Sequence, residues 1–153
     1  MSSTFAASRR PYTAKSAICN VQSVGGMDRN VFEHLKIDTH KELGDRWMDY
    51  PVLQQGEFEN VSVWVNYRED ATILIGQQGG AWVCGMIIRT RVQHTSFNPG
   101  LKWGKFASRT DAILWGLGYI LRYYSYMSPL KKAALEMIEK YRQPSLFDIW
   151  DEH

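Results

Sequence analysis

The run from Arg109 to Tyr124 cannot form a helix with a fully wet face. It carries Ala112, Ile113, Leu114, Trp115, Leu117, Tyr119, Ile120, Leu121, Tyr123 and Tyr124. At 3.6 residues per turn these side chains clothe a helix almost all round, so it must be covered on most sides. Ser108-Arg109-Thr110-Asp111 opens it in the manner of a capping box, with Asp where Glu or Gln is usual. Gly116 and Gly118 each cost about 1 kcal/mol against Ala in a helix interior. That cost is tolerable where a strand backbone comes close to the helix.

The segment before the helix reads as the covering partner. Val61, Val63, Val65 and Tyr67 alternate with Ser62, Trp64 and Asn66, the period-2 pattern of a strand with one buried face. Arg68-Glu69-Asp70 is a charged turn. Ala71–Ile75 is a short apolar strand, and the residues from Gly76 to Gly80 read as a turn or hairpin loop. Ala81–Gln93 reads as one long strand. Trp82, Cys84, Met86, Ile88, Thr90 and Val92 fall on one face of it, and Val83, Gly85, Ile87, Arg89 and Arg91 on the other. His94–Phe106 reads as a loop turning at Asn98-Pro99-Gly100. Short connections imply antiparallel pairing. The expected fold class is therefore α+β: a three-stranded antiparallel sheet packed against the helix 109–124.

The flanks are simpler. Residues 1–27 lack helix or strand periodicity and read as a flexible basic arm; their Ser, Ala and Arg content without acid is also that of an organellar transit peptide. Asp28 can cap a short helix reaching Lys36, and a second short helix fits His40–Tyr50 until Pro51 stops it. Ser128-Pro129 restarts an amphipathic helix that ends near Arg142. The expected organisation is one α+β domain over 28–142 between the arm and a tail, 143–153.

The net charge of +2 says less than its distribution. From Met1 to Met27 there are three bases and no acid, and from Asp28 to Asn60 eight acids against four bases. From Ala71 to Thr110 there are five bases and no acid. Charge sorted in this way points to surfaces of different sign. Two cysteines, Cys19 and Cys84, do not make a disulfide framework, and Cys84 in an apolar strand reads as a buried thiol. There is no 18-residue apolar run, so no membrane span is expected and a cytoplasmic location is.

Signals of catalysis are weak. No nucleophile elbow is present, and Asp38-Thr39-His40 reads as a solvated loop. His34, His40, His94 and His153 do not fall at metal-ligand spacings, so neither metal nor cofactor is expected. The glycines of 76–80 lack the lysine and the following helix of a phosphate cradle.

Two stretches suit binding instead. Arg89, Arg91, Lys102, Lys105 and Arg109 are interleaved with His94, Phe97, Trp103 and Phe106. Cations neutralise phosphates and flat rings stack on bases, so this stretch is a candidate nucleic-acid surface; an acidic protein would use it equally. The competing reading is a solvated strand edge with Trp103 and Phe106 tucked under as core. The order α-β-β-β-α over 28–124 is shared with the double-stranded-RNA-binding domain. However, Ser108-Arg109-Thr110-Asp111 stands where that family has a lysine pair, and the spacing before the first strand is too long.

The second stretch is the tail. Gln143-Pro144-Ser145-Leu146-Phe147 resembles the pentapeptide that docks on the bacterial sliding clamp, in which Gln is followed by Leu-Phe at the same spacing. Pro144 departs from the apolar residue common there. The resemblance implies Leu146 and Phe147 as apolar anchors and the Gln143 amide as the register-setting hydrogen-bonding group. Alternatively, Leu146, Phe147, Ile149 and Trp150 fold back onto the core. Ala81, Trp82, Gly85, Phe106, Ser108, Arg109, Ala112 and Ile113 together form a pattern similar to small accessory proteins of phages and mobile elements. That resemblance implies a role in nucleic-acid metabolism or in countering host defence. The expected function is a non-enzymatic interaction protein of a bacterial phage or mobile element that engages nucleic acid or a nucleic-acid-bound machine, with the tail docking on the sliding clamp. The alternatives are an inhibitor of a host defence complex, of the anti-CRISPR type, and a nucleic-acid-modifying enzyme with an unrecognised site.

Overall fold

The computed structural model describes residues 29–142. The arm, the Asp28 cap and the tail motif lie outside the described residues. Within them, four strands form one antiparallel sheet in the order β1-β2-β3-β4: β1 Phe58–Asn66, β2 Glu69–Gln78, β3 Ala81–Arg89 and β4 His94–Phe97. Three helices accompany it: α1 His40–Leu43, α2 Arg109–Tyr124 and α3 Ser128–Arg142. The fold is α+β with four strands, where the sequence predicts three.

The extra strand comes from the end of β3. The expected long strand Ala81–Gln93 is broken at Thr90. The Thr90 hydroxyl donates to Gln93 O at 2.9 Å and accepts from the backbone N–H groups of Val92 and Gln93. That side chain closes a tight turn without glycine or proline, and His94–Phe97 returns to pair with β3 from Met86 to Arg89. Residues predicted as loop therefore form an edge strand.

The glycine run holds a second correction. β2 continues to Gln78, and the turn is only Gly79 and Gly80, both at positive φ (60° and 81°). Positive φ at both central positions is what a type I′ two-residue hairpin between Gln78 and Ala81 requires. The third correction is in β1. A bulge between Ser62 and Trp64 makes Val63 the extra residue. The side-chain parity flips there. Val61, Val63 and Trp64 pack against the core, whereas Val65 and Tyr67 are 72% and 86% exposed. The predicted buried face of Val61, Val63, Val65 and Tyr67 therefore holds for Val61 and Val63 and ends at the bulge. The expected helix 28–36 is a 3₁₀ turn, Glu33–Leu35, and the expected helix 40–50 is α1 followed by a second 3₁₀ turn, Trp47–Asp49.

The core lies between one sheet face and α2. Ile73, Ile75, Met86 and Ile88 of the sheet are at most 1% exposed, as are Ile113, Leu117, Ile120, Leu121 and Tyr124 of α2. Fully burying one such aliphatic chain stabilises by about 1.5–3 kcal/mol. α3 packs alongside α2 and against β1, with Leu130, Ala134 and Ile138 all fully buried. Ser108 caps α2, its hydroxyl accepting from Asp111 N–H at 3.1 Å. Gly116 faces strand β2, where a Cβ would sit 2.9 Å from an Ile73 methyl. Gly118 does not face a strand: its missing Cβ makes room for the buried Asn30.

On the other sheet face, Leu53 and the Asn98–Gly100 segment cover one half. Leu53 N–H donates to Pro99 O at 2.8 Å, and Asn98 Nδ2 donates to Leu53 O at 2.9 Å. Gly85 is required beneath this segment, because a Cβ would collide with the Asn98–Pro99 backbone.

Candidate partner-binding groove

Folding returns carboxylates to the acid-free stretch. Arg89 makes a two-pronged pair with Asp70, Nε to Oδ1 at 3.0 Å and a terminal nitrogen to Oδ2 at 2.8 Å. Arg109 does the same with Glu59, at 2.7 and 2.9 Å. Lys105 Nζ sits 2.9 Å from Glu42. Lys102 donates to Met48 O at 3.0 Å and lies 4.9 Å from the Trp103 ring centre. Arg91 lies in the β3–β4 turn, its backbone N–H bonded to Glu69.

The basic side chains thus do not converge on one surface free of acid. The Asp70–Arg89 pair stands on the sheet and the Glu59–Arg109 pair beside the start of α2. The Arg89 hydrogen bonds hold Asp70 below the ordinary Asp range, and those of Arg109 lower Glu59 likewise. Each pair is partly solvated, so its net contribution is small.

Trp103, Phe97 and Phe106 behave differently from the cations they alternate with. Phe106 is core, 3% exposed. Phe97 and Trp103 meet edge to face, centroids 5.7 Å apart, at the border of β4. They continue into a ring ladder on α2: Phe97 to Tyr119 at 6.3 Å, Tyr119 to Trp115 at 5.8 Å and Tyr119 to Tyr123 at 4.6 Å. Positions 115, 119 and 123 are four apart, so they share one helix face. The opposite wall is the turn Asn30–Lys36.

Together these residues line an open groove of about 470 Å³, walled by Asn30, Glu33, Lys36, Phe97, Trp103, Trp115, Tyr119, Arg122 and Tyr123. That is the size range of ligand and anchor pockets. Its walls are fixed. Asn30 Nδ2 donates to Trp115 O at 3.0 Å and its Oδ1 accepts from Phe32 N–H at 2.8 Å. The Trp115 indole N–H donates to Glu33 at 3.1 Å, and the Trp103 indole N–H to Asn98 O at 3.1 Å. Lys36 pairs with Glu33 at 3.2 Å and stands 5.4 Å from the Trp115 ring centre. Arg122 lies over Tyr123, 4.9 Å from its centre, and Tyr123 is 42% exposed. Next to the ladder, Thr95 Oγ1 of β4 and Tyr124 OH of α2 are 2.6 Å apart. Burial raises the phenols of Tyr119 and Tyr124 above their ordinary range, so both remain protonated donors at neutral pH.

Of the sequence-predicted stretch, the groove takes Trp103 and Phe97 and none of the cations. Tyr119, Tyr123, Arg122, Trp115 and Lys36 were not singled out. The four-residue spacing of 115, 119 and 123 was the available signal, but it was absorbed into a helix apolar on all sides. Elsewhere, Thr39 is buried with its hydroxyl donated to Leu101 O, and His40 stacks on Trp47 at 3.7 Å. Cys84 is buried and its thiol pushed far up by desolvation, so it is chemically quiet. Among the described residues, no three His, Cys, Asp or Glu side chains are grouped to hold a metal, and no helix is long and apolar enough to cross a membrane. Gln143, Leu146 and Phe147 lie outside the described residues. No protein-family model, curated protein or solved structure matches the chain.

Proposed function

We propose that this chain is an interaction protein that grips a segment of a protein partner in the groove between α2, β4 and the Asn30–Lys36 turn. The observation that supports this reading is the groove's composition: two tryptophans, two tyrosines, a phenylalanine and an arginine around a fixed concavity. Tryptophan, tyrosine and arginine are the residues that dominate protein–protein binding energy when they converge in a pocket. A partner side chain that is apolar or aromatic would enter between Trp103 and Tyr119, with Arg122 and Lys36 favouring an acidic flank.

The pairing of Arg89, Lys105 and Arg109 with carboxylates favours a protein over a phosphate backbone, which needs cations free to displace counterions. A setting in nucleic-acid metabolism or host-defence inhibition on a phage or mobile element is the part of the proposal that rests on the sequence resemblances. Docking of Gln143, Leu146 and Phe147 on a sliding clamp belongs to it as well.

Placing a photo-crosslinking phenylalanine analogue at Tyr123 tests the reading in cells. A protease-sensitive, nuclease-resistant adduct that disappears when Trp103→Ala is added is the expected result. A nuclease-sensitive adduct, or none, would overturn it.

A further inference from the structure

We infer that the chain's own segment 143–153 is a ligand of this groove and competes there with the partner. The inference takes the groove as a binding site from the proposal above but does not depend on the partner's identity. Three observations converge on it.

The first is tether position. α3 ends at Arg142, whose guanidinium lies over the Phe32 ring, 6.0 Å from its centre. Phe32 is two residues from Asn30 and one from Glu33, both of which wall the groove. Phe147 follows Arg142 by five residues, an extended reach of about 17 Å. The anchors are thus launched beside the groove.

The second is shape and polarity. Residues 143–153 contain Leu146, Phe147, Ile149 and Trp150 within five positions. Four large apolar side chains so close together need a surface to cover them, and the groove is an open aromatic concavity among the described residues. The third is charge. The segment holds Asp148, Asp151 and Glu152 and no Lys or Arg. The groove rim offers Arg122, which stacks on Tyr123, together with Lys36, whose charge is shared with Glu33, the one acid among the lining residues.

A ligand on so short a tether acts at roughly millimolar effective concentration. With an intrinsic dissociation constant of about 100 μM, the segment would fill the groove nine-tenths of the time and weaken a competing partner about tenfold. The residues that resemble a clamp-docking motif would then have two destinations. Whatever captures Leu146 and Phe147 elsewhere would open the groove.

The test uses the full chain. The indole N–H signals of Trp103 and Trp115 are assigned by their loss in Trp103→Phe and Trp115→Phe. Both indoles sit in the groove wall. In the double variant Leu146→Ala/Phe147→Ala these two signals are expected to shift while those of Trp47, Trp64 and Trp82 stay; the sixth indole, Trp150, belongs to the segment itself and is not scored. A synthetic peptide spanning 143–153, added to the double variant, is expected to move them back, and a scrambled peptide is not. Unmoved Trp103 and Trp115 signals would overturn the inference, as would a shift of all five. Either result is independent of whether a crosslinked partner is found. With a partner in hand, the double variant is expected to bind it about tenfold tighter.

Discussion

Replacing Gly118 by Ala in the middle of α2 is a sharp test of the packing described above, because helix propensity and tertiary structure predict opposite signs. In an isolated helix, Gly→Ala is favourable by about 1 kcal/mol. Here a Cβ at position 118 would collide with the Asn30 carboxamide, lying 2.8 Å from its Cγ and 3.1 Å from a Phe32 ring carbon. Asn30 is 5% exposed and cannot swing away cheaply. Its two hydrogen bonds, to Trp115 O and from Phe32 N–H, hold the Asn30–Lys36 wall onto α2. Forcing it out costs about 1–3 kcal/mol in overpacking or displaced backbone. It also costs about 0.5–1.5 kcal/mol for each hydrogen bond broken. Against the gain in propensity, the net is a loss of about 3 kcal/mol, or roughly 10 °C in Tm for a domain near this size. Thermal unfolding followed by circular dichroism measures it. The decisive comparison is a cycle with Asn30→Ala. Without the carboxamide, Gly118→Ala is expected to be neutral or to raise Tm. A Gly118→Ala single variant more stable than the parent, or an equal loss in both backgrounds, would refute the reasoning.

Two further outcomes follow from the ion pairs. Glu59 is held below its ordinary value by Arg109, so the pair stabilises the fold above the unfolded Glu pKa and that contribution fades as pH falls through the depressed folded value. Glu59→Gln is expected to lower the urea midpoint at pH 7 by the equivalent of less than about 1 kcal/mol, given the pair's exposure. The difference from wild type is expected to vanish in strong acid; a gap that persists there would show that the loss is not electrostatic. The triple variant Glu42→Gln/Glu59→Gln/Asp70→Asn frees Lys105, Arg109 and Arg89 together. It is expected to elute from heparin at clearly higher salt than wild type, with a steeper salt dependence of non-specific DNA binding. Unchanged elution would mean that these carboxylates do not mask the cations.

Much of the architecture was legible as local chemistry. The apolar run 109–124 demands burial on nearly every side, and Ser108 is a side chain built to cap. Pro129 restarts a helix, and alternation marks strands at Val61 and Trp82. The misreadings have specific physical sources. The break at Thr90 is made by a hydroxyl bonding across a turn of ordinary residues, which no glycine or proline announces. The bulge at Val63 exists only against the register of β2. The run Gly76–Gly80 is two turn glycines preceded by one glycine needed for the close approach of Leu53.

The candidate site was legible only in fragments. Trp103 stood out because it alternates with lysines, yet the lysines and arginines around it proved to be partners of Glu42, Glu59 and Asp70, acids up to 63 residues away in sequence. A list of charges along a chain records which groups exist; only tertiary distances decide which of them neutralise one another. The helix period could place Trp115, Tyr119 and Tyr123 on one face, because backbone geometry is local. That this face meets β4 on one side and the Asn30–Lys36 turn on the other, leaving a groove rather than a filled core, is set by long-range packing. The sequence by itself determined which surfaces had to be buried. The tertiary structure decided which aromatic face stayed open, because burial of that face depended on neighbours from the start of the described chain and from the strand and turn that precede the helix.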